Sequence, residues 1–365
     1  MSKKVIISGG GTGGHIFPAI AIANALKEID SNIEILFVGA EGRMEMEKVP
    51  NAGYKIVGLP VMGLPRKFSF KIFKVLINLM KSMKQARKII KDFQPNVVVG
   101  VGGYASGPVL KVAAKNKIPC LIQEQNSFPG VTNRLLAKKV DLICVAYEGL
   151  EKFFPKDKII KTGNPVRQDI LETKNKRKEA IEFFGLNENL PIVLSLGGSL
   201  GALTINESIY NNRKFFAENN IQILWQTGKS YFTKAKESLE GVEKFVFPHE
   251  FIFKMDLAFA AADIVISRAG ASTISELCLV GKPAIFVPSP NVSEDHQTHN
   301  AMALVNKNAA LIVKDAEANE KLMSEIQKLV ADNEKQKDLI ENIKNLALPN
   351  SAKIIAEKVL GLINE

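Results

Sequence analysis

Short runs of β-branched and other apolar residues alternate along the chain with longer segments in which apolar residues recur every three or four positions. The first pattern is typical of buried strands, and the second of helices that pack on a sheet. Their alternation predicts an α/β fold in which crossover helices join parallel strands. The predicted strands are residues 5–8, 33–38, 55–59, 97–101, 120–123, 141–145, 159–162, 192–196, 221–225, 244–247, 264–267, 284–287 and 310–313.

The alternation is interrupted near the middle of the chain. Residues 161–167 read Lys-Thr-Gly-Asn-Pro-Val-Arg, and the polar, lysine-rich residues 169–179 follow. This change predicts an interdomain linker, with one domain over 1–164 and a second over 165–349. Pro349 then interrupts a helical pattern over 321–364, so we expect a last helix, about 350–365, that packs back on the first domain.

Four predicted strands run directly into a glycine-rich turn that is followed by a helical pattern. These turns begin at Gly9, Gly102, Gly197 and Arg268, two in each half of the chain. Backbone N–H groups at a helix N-terminus attract anions, and the helix dipole reinforces the attraction. The sequence therefore predicts two facing nucleotide-binding-type domains, with a ligand that carries phosphates or polar sugar groups between them.

The charge balance is unusual for an otherwise ordinary globular composition. The 365 residues include 48 Lys and Arg against 38 Asp and Glu, a net charge of +10, which indicates an anionic partner such as nucleic acid, acidic lipid or a phosphorylated substrate. No signal peptide or membrane span is expected, since glycines interrupt the apolar run after Ile7. Cys120, Cys144 and Cys278 lie far apart in apolar segments, which predicts reduced core thiols and a cytosolic compartment.

Two cofactor motifs are incomplete. Gly9, Gly11 and Gly14 fit a dinucleotide fingerprint, but the acidic residue that should follow the second strand would be Glu41, which lies too far along. His296 and His299 share a helix face without a third ligand at metal spacing. These gaps argue against a nicotinamide enzyme and against a metal site.

Polar residues beside the first-half turns are candidates for catalysis. His15 follows a glycine turn directly. One interpretation is a general base, whose neutral imidazole takes a proton from a substrate hydroxyl. The other is an ordinary histidine at a helix N-terminus that bonds to the backbone. Three interpretations are open for Glu124: it orients His15, it is the general base itself, or its carboxylate accepts hydrogen bonds only from amides of its own loop. Asn126 is expected to face the same cleft.

The turn at 268–276 carries the strongest signal for an anionic ligand. Its small residues let a diphosphate approach the backbone; Thr273 is expected to cap the helix, and Glu276 to accept two ribose hydroxyls. The alternative is a capping box of Thr273 and Glu276, which would account for the same residues without any ligand. Because the chain contains no Asp-x-Asp, we expect helix N-termini and Arg167 or Arg268 to meet the diphosphate charge.

These motifs, taken in order, resemble the MurG family of bacterial transferases. They are Gly-Gly-Thr-Gly-Gly-His-x-Phe-Pro at 10–18, Gly-Gly-Tyr-x-Ser-Gly-Pro at 102–108, Glu-Gln-Asn at 124–126, Thr-Gly-Asn-Pro-Val-Arg at 162–167, Gly-Gly-Ser-x-Gly-Ala at 197–202 and Arg-x-Gly-Ala-x-Thr-x-x-Glu at 268–276. The family moves N-acetylglucosamine from UDP-N-acetylglucosamine onto undecaprenyl-pyrophosphoryl-muramyl-pentapeptide (lipid I), giving lipid II for peptidoglycan synthesis. The resemblance implies a GT-B fold of two Rossmann-like domains facing a cleft, inversion at the anomeric carbon, and no cofactor or metal.

The resemblance also assigns roles in binding the donor. Residues implied to meet the sugar side are Thr12, Gly13, Gly14, Asn126, Arg167, Ser199 and Gln297. The backbone of Ile252 is implied to bind uracil, and the diphosphate and ribose are implied to lie against Ala271, Ser272, Thr273, Ile274, Ser275 and Glu276. His296 stands where some relatives have glutamine and Leu200 fills a variable position, so fine donor selectivity stays open.

A basic and apolar segment fits the lipid-linked acceptor. Residues 66–91 hold nine basic residues and no acidic one, with more apolar residues than one core-facing stripe needs. This favours an interfacial helix on anionic lipid, against the alternative of a helix buried on both sides. The expected membrane contacts are Phe68, Lys71, Phe73, Lys74, Ile77, Met80 and Lys81.

The implied location is the cytoplasmic face of the plasma membrane, as a peripheral protein with cell-wall synthesis proteins as candidate partners. Three other function classes stay as alternatives: a GT-B-type UDP-N-acetylglucosamine epimerase or another UDP-sugar transferase, a nicotinamide oxidoreductase, and a nucleic-acid binder. The last lacks any recognised nucleic-acid motif in its basic segment, so no nucleic-acid partner is expected.

Overall fold

The computed structural model describes residues 2–63, 71–166, 170, 173, 175–198 and 200–364. The chain divides into two compact units, Met1–Val166 with Asn350–Glu365, and Arg167–Pro349. The division falls close to the predicted boundary after residue 164. Each unit contains one parallel sheet with helices on its faces.

The first unit is built on a seven-stranded parallel sheet with the order β3-β2-β1-β4-β5-β6-β7. Its strands are β1 (Lys4–Ser8), β2 (Glu34–Ala40), β3 (Lys55–Leu59), β4 (Val97–Gly100), β5 (Cys120–Glu124), β6 (Leu142–Val145) and β7 (Ile159–Lys161). Its helices are α1 (Gly13–Ile29), α2 (Glu45–Asn51), α3 (Lys71–Phe93), α4 (Ser106–Lys115), α5 (Val131–Leu136) and, from the end of the chain, α15 (Ser351–Asn364).

The second unit is built on a six-stranded parallel sheet with the order β10-β9-β8-β11-β12-β13. Its strands are β8 (Ile192–Leu196), β9 (Gln222–Gln226), β10 (Val246–His249), β11 (Ile264–Ser267), β12 (Ala284–Phe286) and β13 (Leu311–Ile312). Its helices are α6 (Arg177–Phe184), α7 (Leu203–Asn211), α8 (Arg213–Glu218), α9 (Lys229–Lys236), α10 (Met255–Ala261), α11 (Ala271–Val280), α12 (His296–Val305), α13 (Ala318–Ala331) and α14 (Asn333–Lys344).

Helices on both faces of the first sheet explain its uninterrupted apolar strands. Val5 and Ile7 point into one core layer, while Ile6 between them points into the other. A strand buried on both sides needs apolar residues at every position, so no polar alternation appears in the sequence. The last helix, α15, packs on α1 and contributes Ile355 and Val359 to the first of these layers.

Three features of the structure bear on the sequence predictions. The predicted linker over 169–179 includes the start of α6, which is fixed by an ion pair between Arg177 and Asp263 at 2.8 Å. The three cysteines are free and buried, and burial raises the pKa of each thiol to about 12. Among the described residues, no helix is both long and apolar enough to cross a membrane.

The strand order places the glycine turns at one position in each sheet. In the first sheet the order reverses between β1 and β4, and in the second between β8 and β11. Ligands of open parallel sheets bind beyond the carboxyl ends of the strands at this reversal. The four glycine turns that the sequence singled out follow these four strands.

Candidate functional site

His15 lies where the two glycine turns of the first unit meet. Its ring packs against Gly102, because a Cβ at that position would lie 2.9 Å from Nε2 and 2.8 Å from Cδ2. Nδ1 lies 3.1 Å from the hydroxyl oxygen of Thr12, the residue that precedes α1. The predicted candidates His15 and Thr12 therefore form one contact at the end of β1, next to the turn that follows β4. Gly13 and Gly14 form the first residues of α1, directly beside them.

A buried carboxylate, that of Glu45, accepts a hydrogen bond from the first glycine turn. Glu45 is 1% exposed, and its two oxygens accept the N–H groups of Gly11 and Ala40, each at 3.0 Å. Gly10 and Gly39 leave room for this side chain, since a Cβ at either would fall within 2.6 Å of it. The N–H of Gly11 thus points at Glu45, which leaves fewer amides of this turn for an anionic ligand than the sequence suggested.

Glu124 lies at the end of β5 and is engaged by its own loop. One oxygen accepts the backbone N–H and the side-chain amide of Asn126, at 3.0 and 3.2 Å. The other accepts the Gly130 N–H at 3.1 Å and the Asn133 amide at 2.8 Å. Burial raises the pKa of the Glu124 carboxyl, while these four donors oppose the rise. The geometry favours the loop-amide interpretation, in which Glu124 orients Asn126.

In the second unit, the helix after β11 begins earlier than predicted. Gly270, with an extended backbone, is the cap of α11, and its carbonyl accepts the Ile274 N–H at 3.0 Å. Thr273 therefore lies inside the first turn, and its prediction as the helix cap is wrong, as is the capping box with Glu276. Glycine is among the residues that helix N-caps accept, and here no side chain bonds to the first amides of the helix. Small residues, Ala271 and Ser272, form the start of the helix.

Two charged residues flank this helix start. Glu276 is 9% exposed, one turn into α11. Arg268 donates to the carbonyls of Val287 and Pro288, at 2.9 and 3.3 Å, and forms an ion pair with Asp315. Its charge is therefore already offset, and diphosphate binding by Arg268, which stays a prediction, would compete with Asp315. Ile274 is buried and Ser275 bonds to the Ala271 carbonyl, so these two face the helix and its core.

A buried glutamine connects two loops of the second unit. Gln226, the last residue of β9, accepts the Ile252 N–H at 2.9 Å and donates to the Gly198 carbonyl at 3.0 Å. The loops that it joins follow β8 and β10, the neighbours of β9 in the sheet. Ile252, predicted to bind uracil through its backbone, thus has its N–H occupied.

The remaining donor candidates lie on α12 or outside the described residues. Gln297 accepts the Ser289 N–H at 2.9 Å from the first turn of α12. Arg167 and Ser199 fall outside the described part of the chain. His296 and His299 lie on the same helix as Gln297, and within the described ranges no group of three His, Cys, Asp or Glu is placed to hold a metal ion.

Comparisons with known proteins cover almost the whole chain. Residues 5–145 match the glycosyltransferase family 28 N-terminal domain, and residues 192–357 match the family 28 C-terminal domain. The chain is 56% identical over 365 residues to the UDP-N-acetylglucosamine--N-acetylmuramyl-(pentapeptide) pyrophosphoryl-undecaprenol N-acetylglucosamine transferase of Bacteroides fragilis, covering 99% of this chain and 96% of that protein. The transferase of the same name from Parabacteroides distasonis is 55% identical over 363 residues, covering 99% of each chain. The chain belongs to the MurG family.

Solved structures agree with membership of the MurG family. A crystal structure of Acinetobacter baumannii MurG superposes with a TM-score of 0.79 at 26% identity, covering 98% of this chain and 99% of that chain. The predicted GT-B fold is confirmed by this match and by the two parallel sheets. A UDP-GlcNAc 2-epimerase from Neisseria meningitidis, bound to UDP-GlcNAc, superposes with a TM-score of 0.67 at 17% identity, covering 99% and 100%, which shows the fold alone.

Residues 71–91 of the basic segment of this MurG-family chain lie in α3, and the apolar residues of this helix differ in exposure. Val75, Ala86 and Ile90 are buried in the core of the first unit. Another set on the first turns is 43 to 65% exposed: Leu76, Ile77, Leu79 and Met80. The alternative of a helix buried on both sides is therefore wrong. Lys81 is exposed beside this set, whereas Phe68 and the side chains of Lys71, Phe73 and Lys74 lie outside the described residues.

The sequence analysis did not identify Glu45 and Gln226, two buried residues whose side chains bond to the loops after β1, β8 and β10. Neither stands in a motif that the sequence analysis used. Glu45 contacts a turn 34 residues earlier, and Gln226 contacts a residue 26 positions later. One signal in the sequence could have pointed to Gln226: it is a polar residue that follows a predicted buried strand and directly precedes the Thr-Gly pair at 227–228.

Proposed function

We propose that this chain transfers N-acetylglucosamine from UDP-N-acetylglucosamine to the muramyl 4-hydroxyl of undecaprenyl-pyrophosphoryl-muramyl-pentapeptide, with inversion at the anomeric carbon. The observation that carries the proposal is the identity of 55 to 56%, over nearly the full length, to transferases whose names state this donor group and acceptor. The product is lipid II, for peptidoglycan synthesis.

His15 is the proposed general base. Nδ1 lies 3.1 Å from the Thr12 hydroxyl oxygen, and in the tautomer that carries the proton on Nδ1 the ring donates to that oxygen and Nε2 is the proton acceptor. Nε2 takes the proton of the muramyl 4-hydroxyl as that oxygen attacks the anomeric carbon. Glu124 is the second candidate for this step, and its four N–H donors favour a role in orienting Asn126 instead.

The second unit is proposed to hold the donor. The N-terminus of α11, with small residues at Ala271 and Ser272, faces the diphosphate and stabilises its negative charge as the UDP leaves. Glu276 accepts ribose hydroxyls, Ile252 binds uracil through its backbone, and Gln297 binds hydroxyls of the sugar. In the first unit, Thr12, Gly13, Gly14 and Asn126 complete the sugar side.

We further propose that the first turns of α3 bind the cytoplasmic face of the plasma membrane. The lipid tail of the acceptor keeps it in the bilayer, and an exposed apolar set flanked by lysines suits an interface with anionic lipid. Replacing Ile77 and Met80 with serine should weaken sedimentation with anionic vesicles while a water-soluble acceptor still reacts. The matched control is Ile29→Ser, an exposed apolar residue at the end of α1, and vesicle binding lost equally in both would refute the assignment.

The direct test is transfer from labelled UDP-N-acetylglucosamine to a lipid-linked muramyl acceptor. His15→Ala should lose ~10²–10⁴-fold in kcat at little cost in UDP affinity. Near-normal turnover of that variant at saturating substrates would move the base to Glu124 or to water. Activity should also survive excess EDTA; abolition that one divalent ion restores would contradict the proposed charge stabilisation by α11.

The alternative functions, an epimerase or another UDP-sugar transferase, are tested in the same assay. An epimerase converts UDP-N-acetylglucosamine without any acceptor, so product formation that does not depend on the muramyl lipid would favour it. Transfer to a different acceptor in preference to the muramyl lipid would favour another UDP-sugar transferase.

A further inference from the structure

Three buried amide side chains form a closed ring of hydrogen bonds next to the loop that carries Asn126. They belong to Gln123, Gln125 and Asn164, and each is 0 to 2% exposed. The Gln125 amide donates to the side-chain carbonyl of Gln123. The Gln123 amide donates to the side-chain carbonyl of Asn164 at 2.9 Å, and the Asn164 amide donates to the backbone carbonyl of Gln125 at 3.0 Å. The ring thus joins β5 to the segment in which the chain leaves the first unit.

Two backbone carbonyls fix the orientation of these amides. Nε2 of Gln125 also donates to the Val101 carbonyl at 2.9 Å, and an oxygen in its place would face that carbonyl. The Gln125 carbonyl fixes the nitrogen of Asn164 in the same way. The orientation of Gln123 then follows from its two neighbours in the ring. Turning over any of the three amides would place two acceptors or two donors against each other, so the buried ring has one arrangement.

The ring contributes one of two bonds that hold the peptide group between Gln125 and Asn126. The carbonyl of this peptide accepts the Asn164 amide, and its N–H donates to Glu124 at 3.0 Å. Glu124 belongs to the same loop, whereas Asn164 lies 39 positions beyond Gln125. The placement of Asn126 therefore depends on Asn164 as well as on its own loop.

The ring also reaches the turn beside His15. Val101, whose carbonyl accepts the Gln125 amide, directly precedes Gly102. A Cβ at Gly102 would lie 2.9 Å from Nε2 of His15 and 3.7 Å from Oε1 of Gln125, so both side chains border the same turn. A shift of Gln125 would therefore displace the turn against which the His15 ring packs.

We propose that Asn164 is a positioning residue for glycosyl transfer, which fixes Asn126 and, through Gln125, the turn beside His15. This rests on the proposed function, in which Asn126 meets the sugar and His15 is the base. Misplacing a reacting group by about 1 Å can cost ~10²-fold in rate, so opening the ring should lower kcat. The proposed uracil, ribose and diphosphate contacts lie in the second unit, so UDP affinity should be kept.

The substitution Asn164→Asp tests this role because pH reverses its effect. A protonated carboxyl donates to the Gln125 carbonyl as the amide does, whereas an ionised carboxylate faces that carbonyl with a second acceptor. Full burial can raise the pKa of a carboxyl into the neutral range. The ring should therefore be intact below the pKa of the introduced carboxyl and open above it. The titratable groups that border the ring are His15, Glu124 and Cys144; the wild type contains all three, so the ratio of variant to wild type cancels their titration.

A matched control lies in the second unit at Gln222, the first residue of β9. It is 1% exposed, and its amide makes two hydrogen bonds with the backbone of Asn187, each at 2.8 Å. Gln222→Glu likewise sets a buried carboxyl against a backbone carbonyl. It does so at the amino end of a strand, whereas the glycine turns follow carboxyl ends. Gln222→Glu should therefore lose stability as the pH rises without losing kcat.

The experiment measures kcat with labelled UDP-N-acetylglucosamine and a water-soluble muramyl acceptor, from about pH 6 to about 8.5, as the ratio to wild type. For Asn164→Asp, this ratio should be within about threefold of unity at the acid end. It should fall by ~10- to 100-fold through the pH range in which the melting temperature of the variant falls. Calorimetric UDP affinity should stay within about twofold throughout. For Gln222→Glu, the melting temperature should fall in the same way while the ratio of kcat stays flat.

The outcomes separate this inference from the proposed function. A flat ratio of kcat for Asn164→Asp, or an equal fall for Gln222→Glu, would overturn the positioning role alone. If Asn164→Asp does not fold, Gln123→Glu replaces it: its ionised carboxylate draws the Asn164 amide away from the Gln125 carbonyl, and the same pH dependence is expected. A wild type that binds UDP but transfers no N-acetylglucosamine to the muramyl acceptor would overturn the proposed function.

Discussion

Replacing Gly102 with alanine tests whether the position of His15 controls turnover. Gly102 has φ +91°, and an added Cβ would lie 2.8 Å from Cδ2 of His15. The ring must therefore move away from the turn that follows β4, while Thr12 and the rest of α1 keep their places. Gly149→Ala is the matched control, because Gly149 has φ +79° and nothing within 4 Å of an added Cβ.

The expected size of the effect follows from these distances. Both substitutions place alanine in the left-handed region, which costs about 1–2 kcal/mol of stability in each case. Only Gly102→Ala also displaces His15, by ~0.6 Å if the contact relaxes from 2.8 to an ordinary 3.4 Å. Misplacing a catalytic group by about 1 Å can cost ~10²-fold, so we expect kcat to fall by ~10- to 100-fold in this variant alone.

The assay is initial-rate transfer of labelled N-acetylglucosamine, with UDP affinity and the melting temperature measured beside it. Gly102→Ala should lower kcat, keep UDP affinity, and match Gly149→Ala in melting temperature. Combined with His15→Ala, it should add little, since the displaced group is already gone. Equal kcat in the two glycine variants, or a full additional loss in the combination with His15→Ala, would refute the role given to His15.

The remaining predictions concern two carboxylates and one histidine. Glu276→Ala should weaken UDP binding by ~1–3 kcal/mol with the fold intact, and unchanged calorimetric affinity would remove Glu276 from the site. Glu45→Gln replaces one acceptor oxygen with a donor that faces backbone N–H groups, so kcat should fall at unchanged UDP affinity. The control is Glu47→Gln, an exposed residue on the same helix, which should change neither quantity. Equal effects of the two substitutions would contradict a role for Glu45 in positioning the glycine turn. Burial lowers the pKa of His249 in the folded state. Its contribution to the free energy of unfolding is therefore present above about pH 6.5 and is lost as the pH falls through the lower folded pKa. In urea unfolding, His249→Asn should make stability less sensitive to acid, and an unaltered pH dependence would contradict this role of His249.

The sequence alone determined the fold class and the family. Strands buried on both faces require unbroken apolar runs such as residues 5–7, so their alternation with helices can be read locally. The glycine turns are equally local, since Gly10 and Gly11 have φ +147° and +89°, backbone conformations that side chains disfavour. These local requirements also explain why a helix was expected after each glycine turn, although the start of α11 was placed at Thr273 and not at Gly270.

Only the tertiary structure decided which side chains hold those turns and which way their backbone groups point. Glu45 reaches Gly11, and Gln226 reaches Ile252, because strand order and register bring distant segments together. The start of α11 at Gly270 instead of Thr273 depends in the same way on where β11 ends. Local preferences fix which backbone conformations are allowed at each position, whereas a buried hydrogen bond between segments depends on the packing of the whole sheet, and for this reason the sequence alone could not assign it.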